Sequence, residues 1–160
     1  MVLEYSLIAL LSPLVGGVIA AFFGKSMGKI FVNASTILGV TISFIFSCML
    51  AMDVYQTSAV FNQNLYTWID IGTFTFHIGL LIDNLTASMM VVVTFVSLMV
   101  HIYTIGYMHD DPGYHRFFAY ISLFTFSMLS LVMSNNFLQL FFGWEAVGVM
   151  SYLLIGFWYT

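Results

Sequence analysis

The charges in this sequence leave gaps long enough to cross a lipid bilayer. Twenty uncharged residues lie between Glu4 and Lys25, 23 between Lys29 and Asp53, 26 between Asp83 and Asp110, and 28 between Arg116 and Glu145. No charge follows Glu145. About 20 apolar residues in a helix cross the hydrocarbon layer. Of the 160 residues, 61% are hydrophobic and 6% charged, whereas a soluble domain is roughly a quarter charged. In water such a chain would expose large apolar patches. The spacing therefore predicts an all-α membrane protein. Its five transmembrane helices fall near 4–24, 30–52, 84–108, 116–134 and 137–158. Ser134-Asn135-Asn136 must divide the last two, because one unbroken helix there would be far too long for a bilayer. The bilayer itself is thus the first partner.

Composition removes several other classes. The N-terminus carries Glu4 and no early Lys or Arg, so the first helix reads as a retained span rather than a signal peptide. Cys48 is the one cysteine, which rules out an intrachain disulfide and a CxxC metal framework. A net charge of −4, spread over loops, lacks the basic surface that nucleic acid requires.

The three basic residues agree on an orientation. Lys25 and Lys29 lie between helices 1 and 2, and Arg116 between helices 3 and 4. With five spans, those loops share one side, and the positive-inside rule makes it cytoplasmic. The N-terminus and the 53–83 loop are then outside and Thr160 ends inside. In the outer loop, Tyr66 and Trp68 flank Thr67, while Phe74, Phe76 and Ile78 alternate with Thr73, Thr75 and His77. Period two indicates strands, and Asp70-Ile71-Gly72 supplies a turn, so a β-hairpin is expected over the membrane surface. Residues 1–110 hold the first three helices and the hairpin; residues 111–160 hold the last two helices.

Polar residues in register mark helix faces turned to other helices. Helix 2 offers Asn33, Thr36, Ser43 and Ser47. Helix 3 offers Asp83, Thr86, Thr94, Ser97, His101 and Thr104, with Met90 filling the gap. Helix 4 offers Arg116, Tyr120, Ser127, Ser130 and Ser134. In helix 1, Gly17 with Ala21 and Ala20 with Gly24 permit close backbone approach. Such stripes serve either ordinary interhelical hydrogen bonding or a hydrated path for protons or ions.

Glu145 sits near the middle of its span, where a charged side chain costs on the order of 2.5–3.5 kcal/mol on insertion scales. At about 100° per residue, Gly148, Tyr152 and Gly156 share its face, while Val147, Leu154 and Trp158 point away. Two glycines beside an acid leave room for another backbone, for water or for a long side chain. Glu145 is either a structural carboxyl or a proton-relay residue, the usual role of an ionisable group within a membrane. Asp83 opens helix 3, as a cap or a functional acid. His101, inside helix 3, is a packing histidine or a proton shuttle. His109, His115, Asp110 and Asp111 flank a Pro-Gly turn without ligand spacing and read as a solvated loop. No Ser-His-Asp set, phosphate loop or haem ligand pair stands out.

The run Gly143-Trp144-Glu145-Ala146-Val147-Gly148, followed by Ser151-Tyr152-Leu153-Leu154-Ile155, resembles the fifth-helix signature of chain 5, or chain L, of the proton-pumping NADH–quinone oxidoreductases of respiratory complex I. Ala146 stands where that signature has glycine. "LLIDNLTASMM" resembles the start of the family's third helix and "YHRFFAYISLFTFSM" its fourth. The resemblance implies an antiporter-like subunit of an enzyme complex, with no redox centre in this chain. NADH, FMN, iron–sulfur clusters and quinone are expected in other subunits. Partners would be other membrane subunits, especially a neighbouring antiporter-like one. The location would be the inner, cytoplasmic membrane of a bacterium in preference to the mitochondrial inner membrane. The acid matching Glu145 would pair with a lysine of a later helix to gate proton transfer. Residues 111–160 would be the first two helices of an inverted repeat. Two alternatives stand beside it: the large subunit of a multisubunit cation/proton antiporter, and a non-transporting assembly segment.

Overall fold

A computed structural model describes residues 2–58, 60–72 and 75–159. Along the chain lie α1 (Val2–Met27), α2 (Lys29–Thr57), β1 (Phe61–Asp70), β2 (Thr75–Ile82), α3 (Asn84–Tyr107), α4 (Tyr114–Val132) and α5 (Phe137–Ile155). Among the described residues, all five helices are long and apolar enough to cross a membrane. Thr73 and Phe74 of the expected hairpin pattern, and Thr160, lie outside the described residues. Several helix ends differ from expectation: α1 runs three residues past Gly24 to Met27, and α4 lies two residues earlier than 116–134. α2 continues past Met52 and carries Asp53 within its last turns, because one acid near a helix end does not stop a helix. α5 stops at Ile155, where Gly156 and Phe157 bond back to Tyr152 and Leu154 and tighten the turn.

α1 packs on α2 and α4, and α3 packs on the same two, giving a four-helix body with α5 laid against α4. Glycine sets the closest approaches. A β-carbon at Gly39 would stand 2.6 Å from the Ser12 carbonyl oxygen, and one at Gly16 2.7 Å from that of Ser35. One at Gly17 would meet Ser122 of α4 at 3.0 Å. The small-residue seam is therefore Gly16, Gly17, Ala20 and Gly24, all buried, whereas Ala21 is exposed. The expected Gly17–Ala21 pairing fails because α1 has two neighbours. Adjacent glycines about 100° apart serve both.

The interior has apolar ends and a polar middle. Leu50, Leu80, Ile82, Met90, Leu129 and Met133 fill the hairpin end; Val32, Met108, Tyr114, Phe118 and Phe157 fill the basic end. Between them Thr36, Ser43, Ser47, Thr94, Ser97, His101, Ser122 and Thr125 are all buried. Most of these hydroxyls bond to a carbonyl one turn back on their own helix, while Ser43 crosses to the Ala9 carbonyl of α1 at 2.6 Å. The stripes of α2 and α3 thus face protein, as their spacing predicts.

β1 and β2 pair antiparallel from Phe61↔Ile82 to Asp70↔Thr75, with register shifts between Asn64 and Tyr66 and between Thr67 and Ile69. Those bulges break the simple alternation read from the sequence. At the turn, Gly72 has φ +72° and donates its N–H to the Asp70 carboxylate. The hairpin is clamped to the α4–α5 link. Gln139 bonds both the N–H and the C=O of Gly79, the Leu81 N–H donates to the Met133 carbonyl, and the Asn135 amide reaches Asn62 and Asn64. Trp68 lies against Phe142 with ring centres 5.5 Å apart.

Candidate functional site

The direction of Glu145 follows from a contact two residues earlier. α5 starts at an Asn136 cap, whose side chain accepts from the Gln139 N–H at 2.9 Å. Gly143 then sits directly on α4, where an added β-carbon would be 2.8 Å from the Leu131 α-carbon. Two residues further round at about 100° each, Glu145 points away from α4. Gly148, Tyr152 and Gly156 are exposed with it, and Val147 and Leu154 are partly covered. Tyr152 is 76% exposed, and nothing lies within 4 Å of a β-carbon at Gly148. The face grouped from the sequence is therefore one face. Among the described residues, no side chain bonds the Glu145 carboxyl. Arg116 is engaged at the basic end, over the Phe157 ring at 5.5 Å. Trp158 turns off the end of α5 and donates its indole N–H to Asp111 at 2.8 Å. With Tyr103 and Tyr107 it forms an aromatic row at the basic boundary, where such rings anchor spans.

His101 has a different setting. It is fully buried between α3 and α4. Nδ1 lies 2.8 Å from the Ser97 carbonyl oxygen and Nε2 lies 2.9 Å from the Ser122 hydroxyl. Ser97 Oγ in turn lies 2.6 Å from Thr125 Oγ1. Sequence reasoning missed Ser122 and Thr125. The chosen α4 stripe lies on another side of the helix: Ser127 and Ser130 line a cavity of about 430 Å³ beneath the hairpin, and Arg116 is exposed. α4 has helices on several sides, so a polar spacing alone does not say which neighbour it meets. The findable signal was Ser122 and Thr125 in register with the apolar Phe118 and Leu129.

Asp83 caps α3. Its carboxylate accepts from the Thr86 N–H at 2.7 Å. That bond holds the carboxyl below the usual carboxylate range, against the opposing pull of desolvation. In the α3–α4 turn, His109 pairs with Asp110 at an exposed position, and Lys29 donates to the His109 carbonyl. Among the described residues no group of three or more His, Cys, Asp or Glu could hold a metal ion.

Comparison with known proteins converges on one family. A family model described as NADH-ubiquinone oxidoreductase (complex I), chain 5 N-terminus, matches residues 68–118, from β1 into α4. NADH-quinone oxidoreductase subunit L of Neisseria meningitidis (strain MC58) is 59% identical over 157 residues, covering 97% of this chain. The chain matches the N-terminal region of the chain 5, or subunit L, family. NADH-ubiquinone oxidoreductase chain 5 of Marchantia polymorpha is 47% identical over 156 residues, 98% of this chain. That of Dictyostelium discoideum is 43% identical over 154 residues, 96% of this chain. In each case the chain spans 23% of the length of the subunit L or chain 5 relative. It is a membrane segment of this antiporter-like family, with the Glu145 face turned outward from its own helices.

Proposed function

We propose that the chain is the N-terminal membrane portion of a proton-translocating subunit of NADH–quinone oxidoreductase. Electron transfer from NADH to quinone takes place on other subunits, which carry the FMN and iron–sulfur clusters. This chain contributes Glu145, which gains and loses a proton within the bilayer. The reading rests on one observation above the others. A mid-span acid stands on a glycine-flanked face that none of the preceding four helices covers. An uncovered carboxylate in hydrocarbon is costly, so this face meets a basic partner or water in the complete protein, whose relatives are more than four times as long. Residues 111–160 are read as the opening pair of helices of a repeat continued there. The basic ends of α1–α2 and α3–α4 face the cytoplasm, and the hairpin lies outside. A bacterial inner membrane is favoured, in keeping with the identity to the Neisseria protein.

The test is Glu145→Gln in the full-length subunit within the assembled complex, in sealed vesicles. Gln keeps the size and removes the titratable proton. NADH-driven proton uptake is expected to fall while NADH oxidation with an uncoupler stays near the wild-type rate, and Glu145→Asp should retain part of the uptake. Unchanged uptake in Glu145→Gln would remove the relay role.

A further inference from the structure

The buried imidazole between α3 and α4 plays no part in the Glu145 reading, yet its surroundings suit proton transfer. A backbone carbonyl can only accept, so the Ser97 contact at 2.8 Å places a hydrogen on Nδ1. In the neutral ring Nε2 is then an acceptor, and the Ser122 hydroxyl donates to it across 2.9 Å. A second proton on Nε2 needs an acceptor at the same place. The Ser122 oxygen provides one once its O–H rotates away, because a hydroxyl both donates and accepts. Both charge states are therefore hydrogen-bonded with every heavy atom in place. A histidine held only for packing needs just one of them.

The groups around the ring sharpen this. From α3 it meets Ser97, and from α4 Ser122 and the Phe118 ring, 6.0 Å away and edge-on. Among the described residues no acid or base bonds it. Ser97 Oγ lies 3.4 Å from Nδ1 and 2.6 Å from Thr125 Oγ1. Ser97 and Thr125 also line a groove of about 690 Å³ between α3, α4 and α5. A line of exchangeable hydrogens thus runs from Ser122, through both ring nitrogens, to the wall of a cavity.

We propose that His101 is a second proton-relay station in this chain, with Ser122, Ser97 and Thr125 as its positioning residues and α4 standing between it and Glu145. A proton arriving through Ser122 binds Nε2. The proton on Nδ1 leaves to Ser97 Oγ as Ser97 passes its own to Thr125 Oγ1. Thr125 gives up its hydroxyl proton, held until then by the Ile121 carbonyl, to a water in the groove. One proton enters and one leaves, no bond between heavy atoms breaks, and the ring ends as the Nε2–H tautomer. Its bare Nδ1 then faces the Ser97 carbonyl, so this is the less stable form and must regain its Nδ1 hydrogen before the next transfer. This rests on the reading that the complete subunit moves protons.

The experiment uses the full-length chain in the assembled complex, reconstituted in vesicles, with protons moved per NADH oxidised measured across a range of pH. His101→Gln supplies one donor and one acceptor but cannot take up a proton. It is expected to lose proton yield, read as protons moved per NADH oxidised so that any change in the oxidation rate itself cancels. Ser122→Ala should displace the pH profile of the yield, and Ser122→Thr should restore it. Unchanged yield at every pH in His101→Gln would overturn the proposal. Should that variant fail to assemble, an unchanged profile in Ser122→Ala overturns it instead. Glu145→Gln measured in parallel separates the two readings. Loss in Glu145→Gln with full yield in His101→Gln defeats only the His101 station. Loss in His101→Gln with full yield in Glu145→Gln defeats only the Glu145 relay.

Discussion

At the scale of single residues, Asp83 shows how one hydrogen bond sets both a cap and a pH response. The Thr86 N–H lowers the carboxyl's folded-state value below its unfolded one. The cap therefore contributes stability above the unfolded value of about 4, and loses it as the pH falls through the lower, folded value. The protection of the Thr86 amide, its exchange rate compared with the intrinsic rate at the same pH, should be high at neutral pH and fall on acidification below that range. Asp83→Asn should keep the cap and flatten this dependence, and Asp83→Ala should cost about 1 kcal/mol at neutral pH. Two glycines make a sharper contrast. Gly39→Ala places a methyl 2.6 Å from the Ser12 carbonyl; prising α1 from α2 should cost about 1–3 kcal/mol, visible as a lower thermal midpoint in detergent. Gly148→Ala meets nothing within these helices. In a chain limited to these 160 residues it should be neutral or slightly stabilising, since Ala is the better helix former. A loss of assembly from Gly148→Ala in the full-length protein would mean that another backbone comes close there.

At the scale of elements, the helices were legible because one quantity, the length of uncharged runs, decides them. The hairpin was legible in outline from its alternation and its Gly72 turn. Its two bulges were not, because an extra residue in one strand depends on the partner and on what the sheet rests upon. What it rests upon is the α4–α5 link, and the sequence showed Asn135 and Asn136 only as a break between helices. Gln139→Leu removes two bonds to Gly79. It should speed hydrogen exchange across β1 and β2 while leaving the spans intact; unchanged exchange would show that the other bonds hold the hairpin alone. The face of α5 was readable because Glu145, Gly148, Tyr152 and Gly156 need only helical periodicity to align. The partners of His101 on α4 were not, because periodicity gives the faces of a helix but not which neighbour each face meets.

At the scale of the molecule, the four-helix body and α5 differ in what they bury. α1 to α4 enclose hydroxyls and an imidazole between two apolar ends. α5 buries chiefly Gly143 and turns its acid outward. Lipid alone is a poor neighbour for a carboxylate, whereas a basic group or water from the rest of the protein is a good one. The claim that Glu145 changes protonation is tested most directly by infrared difference spectroscopy on the complete complex during turnover with NADH. The account predicts a protonated-carboxyl band that appears or disappears with turnover and is missing in Glu145→Gln. Identical difference spectra in the two proteins would contradict it.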